Sequence, residues 1–162
     1  MSRLPFIFTL VVVATTFTGL AQSPWTITLL DQPFHIGDTV VKTMKQPEPQ
    51  GAILEKGFDL PDAILPSYIY VTLWISDMIP KNHPDLKKGL YNNELQINGQ
   101  IIAILNKKID PPEGPTIQKI TLQQKGSVLM KGSNTLAIIA GASVSNLDDF
   151  EVHRIVVSKD RP

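Results

Sequence analysis

Three aromatic side chains lie an even number of residues apart in the stretch Ser67–Ser76, SYIYVTLWIS. In a β-strand, Tyr68, Tyr70 and Trp74 would share one face. The apolar faces of sugar rings pack on exposed aromatic rings of this kind, so we predict that the three residues form a surface on which a ligand stacks. In the alternative, the Asp77–Asn93 loop or the N-terminal segment covers the rings as a second small core. The positions between them are aliphatic and are better suited to the buried face: Ile69, Val71, Leu73 and Ile75.

A second group of chemically active side chains is acidic. Asp148, Asp149 and Glu151 stand together before a predicted strand, and calcium prefers hard oxygen ligands such as these carboxylates. They are therefore candidate metal ligands, although the spacing of an EF-hand is absent. The alternative, which the turn-forming residues Asn146 and Asp148-Asp149 favour, is an ordinary solvated turn.

The sequence contains none of the catalytic motifs considered below. Its three histidines, His35, His83 and His153, lack the spacing of a zinc motif, and no Gly-x-Ser-x-Gly element positions a serine nucleophile. The absence of cysteine excludes cysteine nucleophiles and cysteine-ligated metal centres. Two facing carboxylates of a glycoside hydrolase would have to come from residues such as Asp77, Asp85 and Glu94, and nothing in the sequence indicates that these converge.

The elements that must position these residues begin with a β-hairpin, Glu94–Leu105. Asn98-Gly99 tolerates the positive φ angles of a two-residue type I′ turn. With that turn, Ile97 should pair with Gln100, Leu95 with Ile102, and Glu94 with Ala103. Two faces follow from this register: Leu95, Ile97, Ile102 and Ile104 on one, and Glu94, Gln96, Ile101 and Ala103 on the other.

Further strands are predicted on both sides of the hairpin. The last one, Phe150–Ser158, changes phase between Val152 and Ile155, and a bulge at His153-Arg154 would bring its apolar residues onto one side. Together the pattern predicts an all-β chain of about eight or nine strands, an antiparallel β-sandwich with no helix. The other predicted strands are Trp25–Leu30, Phe34–Val41, Gly57–Leu60, Thr116–Leu122 and Thr135–Ala140.

The N-terminus has the organisation of a secretory signal. Arg3 precedes an apolar stretch, Pro5–Phe17, and Gly19-Leu20-Ala21 supplies the small residues that a signal peptidase reads. A membrane anchor is the alternative, but threonines interrupt the stretch and it is shorter than the roughly 20 residues that span a bilayer. We therefore predict a signal peptide at residues 1–21, one sandwich domain at residues 22–162, and a secreted or periplasmic protein without stable membrane insertion.

Charge gives no reason to expect nucleic acid as a partner. The whole chain has 15 basic and 15 acidic residues, so loss of Arg3 with the signal leaves 14 against 15, a formal charge of −1. The oligomeric state is not indicated.

Three segments resemble the galactose-binding-domain-like jelly-roll family: YVTLWI at Tyr70–Ile75, the NELQINGQII hairpin, and VLMKGSNTLAII followed by DDFEVHRIVV. The resemblance covers about Ser67–Ser158. It implies a jelly-roll β-sandwich, a fold used by glycan-binding modules, by accessory domains of glycosidases and by structural domains. It also implies a structural calcium, whose ligands no short motif identifies.

We therefore predict a secreted, non-catalytic module that binds a polysaccharide or other glycan. The alternatives are a structural or protein–protein interaction domain without a small ligand and, third, a glycoside hydrolase. An exposed aromatic platform would favour the first, a flat aliphatic patch the second, and facing carboxylates the third.

Overall fold

The computed structural model describes residues 24–61, 64–143 and 146–162. The predicted signal peptide and its cleavage site lie outside these residues. The regular secondary structure of the described chain is almost entirely β, with one single-turn helix, α1 (Pro84–Lys87), and two 3₁₀ turns, Leu105–Lys108 and Gly126–Val128. None of its helices is long and apolar enough to cross a membrane. The strands are β1 (Thr26–Leu30), β2 (Phe34–Ile36), β3 (Ile53–Asp59), β4 (Tyr68–Ser76), β5 (Glu94–Ile97), β6 (Gln100–Ile104), β7 (Gln118–Lys125), β8 (Ser133–Ile139) and β9 (Phe150–Ser158).

The strands form two antiparallel sheets that pack face to face. The first sheet has the order β1-β9-β4-β7, with β2 also paired to β9, and the second has the order β3-β8-β5-β6. From β3 onward the chain passes repeatedly from one sheet to the other, so most neighbouring strands are distant in sequence, the β5–β6 hairpin excepted. The predicted fold class, an all-β antiparallel sandwich of the jelly-roll type, is confirmed.

The core lies between the sheets and is mainly aliphatic. The odd-numbered residues of β4, the predicted buried row, have no exposed surface. The second sheet contributes a matching set of buried side chains from β3, β5 and β8. Burial of both rows fixes which side of β4 faces solvent, because successive strand residues point to opposite faces. The facing set is Leu54, Phe58, Leu95, Ile97, Leu136 and Ile138.

Strand β9 contains the predicted bulge. Trp74 of β4 is opposite Arg154, whereas Ile75 is opposite Val152, so His153 is the extra residue. The bulge restores the phase of the strand, and its four large apolar residues on both sides of His153 are all buried. They are Phe150, Val152, Ile155 and Val157.

The hairpin forms at the predicted turn but not in the predicted register. Asn98 and Gly99 have φ angles of 52° and 76°, and Ile97 pairs with Gln100 as expected. Further from the turn, Leu95 is opposite Ala103 rather than Ile102, because β6 contains an unpredicted bulge. Strand β6 is the edge of its sheet, so no second neighbour holds it in regular register.

The bulge also changes which residues of β6 face the core. Ile104, predicted to lie on the buried face, is opposite Glu94 on the outer one, while both Ile102 and Ala103 pack against the core. The fully buried Leu105 follows immediately.

Several predicted elements differ in extent. Strand β3 begins at Ile53 rather than Gly57, and β7 is Gln118–Lys125 rather than Thr116–Leu122. The strand predicted for Phe34–Val41 ends at Ile36, because Gly37 has a φ of 155° and the next two backbone N–H groups donate to the Asp149 carboxylate. The loop predicted for Asp77–Asn93 contains α1, where the His83 ring accepts a hydrogen bond from the Asp85 backbone N–H.

Candidate functional site

The three aromatic residues lie on the outer face of the first sheet, opposite the buried row of β4. Tyr68 is the most accessible, with 48% of its surface exposed, while Tyr70 and Trp74 are half-buried. Thr72 lies between Tyr70 and Trp74 and is fully buried, with its Oγ1 atom 3.2 Å from that of Thr121 on β7. The three aromatic residues thus lie on the predicted side of β4. The role of these residues in binding a ligand stays a prediction.

The indole of Trp74 is already packed against two cations. Lys119 Nζ lies 5.4 Å from the ring centroid and the Arg154 guanidinium carbon 5.3 Å from it. These residues are the register partners of Trp74 on β7 and β9, so one cation comes from the strand on each side. Such contacts are worth about 0.5–1 kcal/mol each at an exposed site. A ligand stacking on Trp74 would have to displace one of them, whereas Tyr68 has no such neighbour among the cation–π contacts of the described chain.

Tyr68 stands at one end of a groove that runs between the edge strands β6 and β7. We call it the edge groove. One part, with a volume of about 550 Å³, is lined by Tyr68, Gln100, Lys125 and Ser127. A second part, of about 500 Å³, is lined by Ile102, Lys107, Lys108 and Thr121. Gln123 and Gln124 line both parts and make them continuous.

The walls of the edge groove come from both sheets. Gln124 of β7 donates from Nε2 to the backbone carbonyl of Ile102 on β6, at 3.4 Å, and so links the two edges. Three glutamine amides, three hydroxyl groups and three lysines supply its polar groups. Beyond Tyr68 lies a more apolar depression of about 350 Å³ that includes Leu65 and Pro66. The groove therefore offers an aromatic ring at its end and hydrogen-bonding groups along its length.

The three acidic residues predicted to bind calcium accept hydrogen bonds from different parts of the chain. Asp149 Oδ1 accepts from the backbone of Asp38 and Thr39, at 3.0 and 2.9 Å, and lies 3.2 Å from His35 Nε2. The Glu151 carboxylate accepts from the backbone N–H groups of residues 45 and 46. Within the described ranges, no group of three or more His, Cys, Asp or Glu side chains is placed to hold a metal ion. Calcium binding by these residues remains a prediction.

Asp148 belongs to a buried polar network that sequence reasoning did not find. It is 2% exposed, and its Oδ2 atom accepts from Asn93 Nδ2 at 2.5 Å and Asn106 Nδ2 at 3.0 Å. The Ile79 backbone N–H donates to the same oxygen at 3.3 Å. Burial raises the pKa of Asp148 to about 7, despite these three donors. One signal was available in the sequence: Asn93 and Asn106 flank the hairpin symmetrically at its open end.

The same end of the sandwich holds a small acidic cavity of about 240 Å³, lined in part by Asp77, Glu113, Asp148 and Asp149. Partial burial raises the pKa of Glu113, and the negative charge of Asp77 adds to the effect. The three carboxylates considered for hydrolysis each have a different partner: Asp77 accepts from Ser76 Oγ, Asp85 pairs with Lys88, and Glu94 accepts from Gln96 on the outer face of the second sheet.

His153 lies beside a serine and an acid, but not in the arrangement of a catalytic relay. Its Nε2 atom is 3.0 Å from Ser76 Oγ and 3.4 Å from Glu151 Oε2. A relay needs the acid on the other ring nitrogen, and His153 Nδ1 has no hydrogen-bond partner among the described residues. Burial lowers the pKa of His153, which favours the neutral ring.

No protein-family model matches the chain, and no curated protein matches it. Among solved structures, the chain is similar to the C-terminal domain of EclA, a sugar-binding protein, with 16% sequence identity and a TM-score of 0.42 over 88% of this chain and 83% of that one. It is also similar to a family 35 carbohydrate binding module from Clostridium thermocellum, with 13% identity and a TM-score of 0.39 over 81% and 98% of the two chains. Similarity at this level assigns neither an activity nor a ligand to this protein.

Proposed function

We propose that this protein is a secreted, non-catalytic module that binds carbohydrate, with Tyr68 and the edge groove as its binding site. The observation that supports the proposal is the position of Tyr68, a half-exposed aromatic ring at the end of an open groove lined by amides. The ring is therefore accessible to a ligand that lies in the groove.

The chemistry of the groove matches that of a sugar. The C–H faces of a pyranose pack on an aromatic ring, and its hydroxyl groups both donate and accept hydrogen bonds. The amides of Gln100, Gln123 and Gln124 can do the same, since each has an acceptor oxygen and two donor hydrogens. Tyr68 is favoured over Trp74 as the stacking residue because two cations already pack on the indole.

The proposal is tested by affinity electrophoresis of the purified protein in gels that contain a panel of soluble polysaccharides. For a polysaccharide that retards the wild type, Tyr68→Ala should bind at least about tenfold more weakly, a difference of about 1.4 kcal/mol. Tyr68→Phe keeps the ring and should retain most of the affinity.

The control is Ile53→Ala, because Ile53 is 53% exposed on the opposite sheet and lies far from the groove in the strand order. It should bind as the wild type does. Thermal melting should be nearly unchanged in all three variants, since surface substitutions usually alter stability by less than about 0.5 kcal/mol. Wild-type affinity in Tyr68→Ala would refute Tyr68 as the stacking residue.

A protein-interaction domain without a small ligand is the second candidate. Ile53 and Ile101 are each about half exposed on the outer face of the second sheet, and Ile53 is the register partner of Ile139. The Glu94–Gln96 hydrogen bond lies between these two edges of the sheet and interrupts the aliphatic surface. This candidate predicts that no polysaccharide in the panel retards the protein.

A further inference from the structure

The charges of this neutral chain are distributed unevenly between its two faces. The outward positions of β4, β7 and β9 include the cations Lys119, Lys125 and Arg154. Their only acidic residue is Glu151, whose carboxylate accepts hydrogen bonds from the backbone of residues 45 and 46. The outward positions of the second sheet carry acids instead, on β3 and β5: Glu55, Asp59 and Glu94. One face of the protein is therefore basic, although the net charge of the chain is zero.

The edge groove continues this basic face. Lys107 and Lys108 lie at one end and Lys125 at the other, and all three are exposed. No Asp or Glu appears among the described residues that line it. None of the three lysines forms an ion pair within the described chain. An anion can therefore bind there without breaking an existing contact.

The cations are spaced for an extended ligand rather than for a single ion. From Thr121 to Lys125, strand β7 spans about 14 Å at the usual rise per residue. Lys107 and Lys108 extend the basic surface beyond Thr121, in the second part of the groove. A ligand that contacts both ends must carry several negative charges along its length.

We propose that the ligand of the edge groove is a polyanionic glycan, a chain of sugar units that carry sulfate or carboxylate groups, with one ring stacked on Tyr68. This inference rests on the function proposed above and specifies its ligand. Nucleic acid is also a polyanion. A single accessible ring at the end of the groove suits a sugar chain better, because proteins that bind single strands stack successive bases on several aromatic side chains.

The test compares three polymers that share one backbone: dextran, carboxymethyl-dextran and dextran sulfate of matched length. Binding to the purified protein is measured by titration calorimetry at several salt concentrations. We expect at least about tenfold tighter binding of a charged polymer than of dextran, and a log–log salt dependence with a negative slope. The two charged polymers distinguish a sulfate ligand from a carboxylate ligand.

The variant pair makes the test specific to the groove. Lys108→Gln with Lys125→Gln removes one cation from each end and should reduce the salt slope by about 1 to 2, because fewer counterions are released. The control, Lys42→Gln with Lys87→Gln, removes the same charge from exposed positions outside the groove and should leave the slope unchanged. Equal effects of the two pairs would overturn the inference.

The remaining outcomes separate the two proposals. Equal affinity for dextran and its charged derivatives, with a loss in Tyr68→Ala, would overturn the polyanion inference and leave the carbohydrate site intact. A loss in the lysine variant with wild-type affinity in Tyr68→Ala would support the charge argument and refute ring stacking. Tighter binding of a single-stranded oligonucleotide of equal charge would overturn the assignment to glycans.

Discussion

Replacement of the buried Asp148 by Asn should remove a pH dependence from the stability of the protein. The pKa of Asp148 is about 7 in the folded state, against an ordinary value of 3.8. The folded protein therefore holds this proton more tightly than the unfolded chain does, and stability falls as pH rises from about 4 to about 7. The difference between the two pKa values corresponds to about 4 kcal/mol of unfolding free energy, as an order of magnitude.

Asparagine has nearly the same shape and cannot ionise. Its amide oxygen can accept from Asn93 and Asn106 as Asp148 Oδ2 does. Its NH₂ group would lie near the Ile79 backbone N–H, and because both groups are donors, the contact should cost about 1 kcal/mol of stability. We therefore expect Asp148→Asn to be about 1 kcal/mol less stable than the wild type at pH 4 and about 3 kcal/mol more stable at pH 8.

The measurement is urea unfolding of both proteins at intervals between pH 4 and pH 8. Every other titrating group is common to the two chains, so the difference between their unfolding free energies isolates Asp148. A difference that stays constant over this range would show that the folded state does not retain the proton. A change in the opposite direction would show that the carboxylate is stabilised by its three donors.

Two further predictions concern the hairpin and the acidic residues. Gly99→Val should cost about 1–3 kcal/mol in chemical unfolding, because a β-branched residue would have to adopt a φ of 76°. A Cβ atom at position 99 would meet no atom within 4 Å, so a wild-type unfolding curve would contradict the backbone argument itself. Gln100→Val, in the adjacent strand, is the matched control. If Asp148, Asp149 or Glu151 binds calcium, the melting temperature should rise with millimolar calcium and fall with chelator, by mass action. Superimposable melting curves would count against that site.

The parts of the fold that the sequence predicted are those in which burial leaves one solution. In β4 only one face is wholly aliphatic, and in β9 only a bulge near His153 buries both halves of the strand. The bulge in β6 was missed because residues 101–104 are all apolar, so that either phase of this strand offers the core a hydrophobic face. Local pattern does not distinguish two registers of similar burial.

The acidic cluster shows a different limit of sequence reasoning. Asp148 and Asp149 are neighbours in sequence, but they accept hydrogen bonds from groups that lie up to 111 residues away. The edge groove is similar: Tyr68 of β4 and Gln100 of β6 line one groove only because β4's neighbour β7 and β6 are the edge strands of the two sheets. The residue types show that such side chains can bind a ligand, but the order of the strands decides which of them come together.

The bulge in β9 makes position 153 an extra residue as far as burial in the core is concerned. If His153 were deleted, Arg154 would follow Val152 directly and β9 could pair regularly with β4. Phe150, Val152, Ile155 and Val157 would then stand at alternate positions of one regular strand, and all four would stay on the core side. Descendants of this chain should therefore lose position 153 more readily than any of these four positions, each of which represents about 1.5–3 kcal/mol of apolar burial.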